Sequence, residues 1–118
     1  EITRILDVKP TSTQRRGQPF SKRPKYIATI GGWFLDSISH VKQRDASSHV
    51  EWILDQVAHS SGAIRTLKVR GYRIDIHVGW FVESNNTCPS LIPAVMRRVG
   101  LLDIECWFDI YLFPEDDL

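Results

Sequence analysis

The sequence predicts a single α+β domain in which a ferredoxin-like antiparallel sheet carries helices on one face, with one additional inserted helix. Three observations predict it. Two segments alternate apolar and polar residues with period two. Apolar residues elsewhere recur at helical spacing. The 118 residues, 42% hydrophobic and 25% charged, suit one core of ordinary globular composition. Residues 1–118 are therefore expected to form one domain. No apolar run approaches the ~18–20 residues of a membrane-spanning helix, and no signal-peptide pattern opens the chain. The expectation is a cytoplasmic protein with no membrane partner.

The elements follow in chain order. Glu1 to Val8, with Ile2, Ile5 and Leu6 on one side, reads as the tail of a helix. Between Lys9 and Lys25 the Pro, Gly, Ser and Arg content predicts a long irregular connection. Tyr26 to Leu35 is rich in β-branched and aromatic residues, so it predicts a strand with a bulge or close backbone approach at Gly31-Gly32. Those glycines lack the G-x-x-x-x-G-K-S/T spacing of a phosphate loop and are expected to let Trp33 pack. Ser48-His49-Val50-Glu51 spells a capping box. Behind it Val50, Ile53, Leu54, Val57 and Ala58 draw one helical stripe, with Trp52 off it. Ala63 to Arg70 predicts a short helix ended by Gly71.

Tyr72 to Glu83 is the clearest strand, with Tyr72, Ile74, Ile76, Val78, Trp80 and Val82 on one side. Ser90 to Val99 reads as a helix with Ser90 as N-cap and Pro93 in its first turn. Its apolar side is Leu91, Ile92, Val95, Met96 and Val99, and Gly100 is its left-handed stop. The last strand places Ile104, Cys106, Phe108, Ile110 and Leu112 inward, and Pro114 closes it. Helices on one side of the sheet would leave its other side open.

A formal net charge of +1 conceals an asymmetry. Residues 1–30 hold seven Lys/Arg against Glu1 and Asp7, whereas residues 101–118 hold six acids (Asp103, Glu105, Asp109, Glu115, Asp116, Asp117) and no base. A domain-scale nucleic-acid binder needs a larger positive excess, so nucleic acid is a disfavoured partner. Two cysteines, Cys88 and Cys106, are too few for a disulfide framework and favour a reducing compartment. Asn85-Asn86-Thr87 matches a glycosylation sequon, which needs a secretory route the chain does not advertise.

Five short signatures occur in order: Leu6-Asp7-Val8-Lys9-Pro10-Thr11, Arg15-Arg16-Gly17, Gly32-Trp33, His49-Val50-Glu51-Trp52-Ile53-Leu54 and Phe108-Asp109-Ile110-Tyr111. In this order the chain resembles domain of unknown function 4279, a family of small bacterial proteins. The resemblance covers nearly the whole chain. It implies no activity and transfers no catalytic residue. It also implies a strand before the first helix, which would lie outside Glu1 to Leu118. A sheet lacking that strand would expose unpaired edges, so a partner chain or self-association is expected to complete it.

The polar sides of the two best strands carry the candidate site. Asp75, His77, Phe81, Glu105, Trp107, Asp109 and Tyr111 share one face if the strands pair antiparallel, and Glu83 would join them. Acidic, aromatic and open, that face predicts a non-enzymatic interaction or immunity-type module that engages a basic protein through the face or through the acidic tail. The plainer expectation for the same face is cross-strand charge pairing, such as Arg73 with Asp109 or Glu105. A small hydrolase or ligand-binding enzyme using His77, Asp75 and Asp109 as acid/base groups is the alternative. RNA stacking on Phe81, Trp107 and Tyr111, with Arg15, Arg16, Lys22 and Arg23 clamping phosphates, is another, and the acids on the same surface oppose it. Cys88 lies in a turn before a helix with no nucleophile signature around it, and Cys106 reads as core. His40, His49, His59 and His77 are scattered without metal-ligand spacing, so neither a metal nor another cofactor is expected.

Overall fold

Apolar residues three and four apart can satisfy their backbone internally and still share one buried stripe, as Val50, Leu54 and Val57 do, and Ile64 with Leu67, and Val95 with Val99. The computed structural model describes residues 1–82 and 87–112. The order is α1 (Ile2–Leu6), β1 (Ser12–Gln14), β2 (Gly32–Phe34), α2 (Ala46–Val57), a 3₁₀ turn (Ala58–Ser60), α3 (Ser61–Val69), β3 (Asp75–Phe81), α4 (Pro93–Leu101) and β4 (Glu105–Tyr111). The chain is thus mixed α+β, with four helices and two small sheets among the described residues. It gathers into two compact units, Glu1–Asp36 and Ser37–Leu118.

In the first unit, α1 ends where Asp7 adopts a left-handed conformation, φ 55°. The irregular connection contains β1, which pairs antiparallel with β2 in the register Ser12↔Phe34, Thr13↔Trp33 and Gln14↔Gly32. The strand expected over Tyr26 to Leu35 is thereby cut to three residues. Pro19 and Ile27 meet only in an isolated bridge. Gly32 marks a close approach, since a Cβ there would lie 2.6 Å from the Phe34 ring and 3.1 Å from the Gln14 side chain. Trp33 packs with its indole N–H donating to Thr3 Oγ1 at 3.0 Å.

The second unit holds the core: Ala46, Val50 and Leu54 of α2, Ile76 and Val78 of β3, and Val95 and Val99 of α4. Each Val, Leu or Ile buried there contributes about 1.5–3 kcal/mol. The capping box at Ser48 is not the one used. Asp45 is the N-cap of α2, and its carboxylate accepts the Ser48 amide at 2.9 Å. Ser47, one residue into that helix, reaches sideways and accepts the Ile92 amide at 2.9 Å, so Ile92 rather than Ser90 is the N-cap of α4. Pro93 follows at the first helical position, where its missing N–H costs nothing. Helix α4 runs through Gly100. The left-handed residue is Asp103, φ 55°, whose carboxylate holds Lys68 of α3 at 3.0 Å. Gly71 ends α3 as predicted, with φ 93°.

The largest correction concerns the sheet. β3 and β4 pair in parallel, Asp75↔Glu105 through Phe81↔Tyr111, and not antiparallel. The physical reason is the connection. Residues 82–104 contain α4, and a strand, a helix and a second strand return the chain in the same direction, as a parallel pair requires. In place of the single antiparallel sheet there are two sheets of two strands. Both strands are shorter than the period-two segments, and Glu83, Asn85, Asn86, Pro114 and the acids Glu115, Asp116 and Asp117 lie outside the described residues. No described helix is long and apolar enough to cross a membrane.

Candidate functional site

Alternation along β3 buries Ile76 and Val78 beneath the helices and turns Asp75, His77 and Phe81 to the opposite face. Along β4 the same period sets Glu105, Trp107, Asp109 and Tyr111 on one side and Cys106, Phe108 and Ile110 on the other, where Cys106 packs against the core while Phe108 and Ile110 stay 41% and 45% exposed. The parallel register then sets Asp75 beside Glu105, His77 beside Trp107, Gly79 beside Asp109 and Phe81 beside Tyr111. All seven residues picked from the sequence share this face, although the strand direction assumed for bringing them together was wrong.

Three contacts organise the face. The His77 imidazole lies against the Trp107 indole with ring centroids 4.3 Å apart. Phe81 and Tyr111 stack at 4.7 Å with planes 13° apart. Between these pairs, one carboxylate oxygen of Asp109 accepts the Tyr111 hydroxyl at 2.6 Å and has His77 Nε2 at 3.4 Å. The first of these is a short charge-assisted bond and the second is stretched, so the phenol is the principal partner. That hydrogen bond, followed by desolvation and the negative charge of Asp109, holds the Tyr111 hydroxyl above its ordinary titration range. A methyl at Gly79 would just touch His77 and Tyr111 at 3.8 Å, so the glycine leaves room in which these groups converge.

At the other end, Asp75 and Glu105 are two carboxylates in directly opposed positions. Opposed like charges cost stability, and among the described residues the cation brought to them is the outlying Arg73, 3.8 Å from Asp75 and 88% exposed. Arg73 pairs with Asp75, not with Asp109 or Glu105 as expected. Aromatic surface remains open along the same face, with Trp107, in register with His77, 40% exposed, and Phe81 and Tyr111 at the far end 62% and 42% exposed. Among the described residues no three His, Cys, Asp or Glu side chains are grouped to hold a metal ion.

The remaining candidates lie elsewhere. Cys88 is exposed, while Cys106 faces the core, where burial pushes its thiol up. Both ring nitrogens of His49 are engaged, by the Ser37 hydroxyl at 2.7 Å and the Gln43 carbonyl at 2.6 Å. Trp52, off the stripe of its helix, stacks on His40 at 4.5 Å, a contact that no spacing rule announces. Arg15, Arg16, Lys22 and Arg23 belong to the first unit, and the aromatic face belongs to the second.

The chain belongs to the family described as Domain of unknown function (DUF4279), whose model matches residues 1–113. No curated protein and no solved structure matches it.

Proposed function

We propose that this protein is a small bacterial, cytoplasmic, non-enzymatic interaction module of the immunity type, which binds a basic protein on the outer face of β3 and β4. The observation that supports the reading is that Asp75 and Glu105 oppose each other in register at one end of a face whose Trp107, Phe81 and Tyr111 rings are open. A Lys or Arg from a partner would relieve the repulsion, and the rings would supply flat, rigid area at little entropic cost. The Asp109–Tyr111 bond and the two ring contacts, one stacked and one tilted, fix the side chains before a partner arrives, which lowers the cost of ordering them on binding.

The test places a photo-crosslinking residue at Phe81 and, as control, at the exposed Arg65 of α3, in the full chain expressed in its native host. Crosslinking to a discrete basic protein from position 81 alone, lost in Glu105→Lys, is the expected result. Equal crosslinking from both positions, or indifference to the charge reversal, overturns the reading.

The His77–Asp109 contact supports a second reading, an acid/base enzyme in which Asp109 orients His77 and Asp75 assists. It predicts a hydrolytic activity that is lost in both His77→Gln and Asp109→Asn. It is ranked second because the imidazole and the carboxylate are 43% and 39% exposed on an open face, where water competes for every proton transfer.

A further inference from the structure

The face described above ends at a strand edge, and its surroundings point to a particular kind of occupant. Among the described residues β4 pairs with β3 alone, so one of its edges offers unpaired backbone donors and acceptors. Natural edges are blunted by charged side chains, Lys above all, by Pro or by a bulge; Glu105–Tyr111 has no Lys, Pro or bulge, and its charges are the two acids Glu105 and Asp109, which a basic segment would neutralise. The apolar side of the pair is covered unevenly. Val78 is 9% exposed, whereas Phe108 in register beside it is 41% exposed and Ile110 is 45% exposed. Parallel strands are ordinarily buried on both faces, and here Phe108 and Ile110 remain open on the helix side of β4.

We propose that the edge of β4 takes up an extended segment of a partner protein in which basic and apolar residues alternate, so that the partner adds a third strand. This rests on the reading that the outer face binds a basic protein, and it specifies the form the partner takes. An added strand would pair with the free backbone of β4 at the usual spacing of about 4.8 Å. Its apolar side chains would cover Phe108 and Ile110 on the helix side. Its basic side chains would fall on the outer face beside Glu105 and Asp109, four residues apart on one side of the strand, with Trp107 and Tyr111 supplying cation–π surface. The same charges argue against a second copy of β4 as the occupant, since edge-to-edge pairing would crowd its acids together without a cation.

The probe is a synthetic peptide of four Lys-Val repeats flanked by glycines, added to the isotopically labelled full chain. A companion peptide carries the same side chains on a fully N-methylated backbone, which keeps the charge and removes every strand donor. The expected result is binding of the first peptide, with slowed amide exchange within residues 105–111, and affinity for the companion lower by at least about tenfold. Equal affinity for both peptides overturns strand addition while leaving the outer face as a docking surface. Failure of the first peptide to bind also overturns it, and crosslinking at position 81 reports separately on the face. Slowed exchange at residues 105–111 without peptide, rising with protein concentration, overturns it in favour of self-association.

Discussion

Trp80 offers the sharpest test of how the second unit is packed. It points to the helix side of β3, in register with Ile110, and its indole nitrogen is buried with no acceptor among the described residues. A buried donor left unpaired costs about 1–3 kcal/mol. Trp80→Phe removes that donor and keeps most of the ring. The lost surface is roughly 30–40 Å², worth about 1 kcal/mol at ~25 cal/mol/Å², and about half of that for a side chain only partly covered. The balance predicts that Trp80→Phe is more stable than the parent by about 0.5–2.5 kcal/mol. Trp80→Ala, which also deletes the donor but empties the site, should be less stable than the parent. Urea unfolding followed by far-ultraviolet circular dichroism reads this without relying on tryptophan emission. The midpoint should rise in Trp80→Phe with the slope unchanged. If Trp80→Phe instead loses more than about 1 kcal/mol, the indole N–H has a partner in the folded protein and the reasoning is refuted.

Two further outcomes follow from hydrogen bonds at identified atoms. Asp45→Ala should lower the thermal midpoint more than Ser48→Ala or Glu51→Ala, because Asp45 caps α2. The Ser48 amide and hydroxyl hold the Asp45 carboxyl below its ordinary 3.8, so its contribution is present above that pH and is lost as pH falls through the lowered value. The gap between parent and Asp45→Ala measured by thermal melts should accordingly close in acid. Tyr111 behaves in the opposite sense. Its contribution is complete below 10.0 and is lost as pH rises through its raised value, so its phenolate should appear at lower pH in Asp109→Asn, as read from near-ultraviolet absorbance with Tyr111→Phe as the subtraction.

Much of the site was legible because period two assigns side chains to faces whatever the strands later do. The alternation over Tyr72 to Glu83 and around Ile104 to Leu112 placed Asp75, His77, Phe81, Glu105, Trp107, Asp109 and Tyr111 together before any pairing was known. Pairing direction was not legible in the alternation, since parallel and antiparallel strands have the same period. The information lay in the helix between them. The α2 cap was ambiguous because Asp45-x-x-Ser48 and Ser48-x-x-Glu51 are both valid spellings. Burial of Ala46 together with Val50 and Leu54 starts the helix early and selects the first. The strands β1 and β2 leave almost no signal at three residues each. Their pairing depends on distant contacts, such as the Gln14 amide donating to the Ile30 carbonyl at 3.0 Å.

The direction of the pairing also gives the face a polarity that an antiparallel arrangement of the same residues would lack. In a parallel pair both strands begin at the same end, so their acidic starts, Asp75 and Glu105, coincide, as do their aromatic ends, Phe81 and Tyr111. Reversing one strand would set an acid near a ring at each end and cancel the gradient. The face therefore runs from carboxylates, through the His77–Trp107 pair and the Asp109 carboxylate, to stacked rings. A ligand that matches charge at one end and flat apolar surface at the other can bind in only one orientation. Such directional matching is a source of specificity independent of affinity, because the reversed ligand would set apolar surface against the carboxylates and leave Asp75 opposite Glu105 unrelieved.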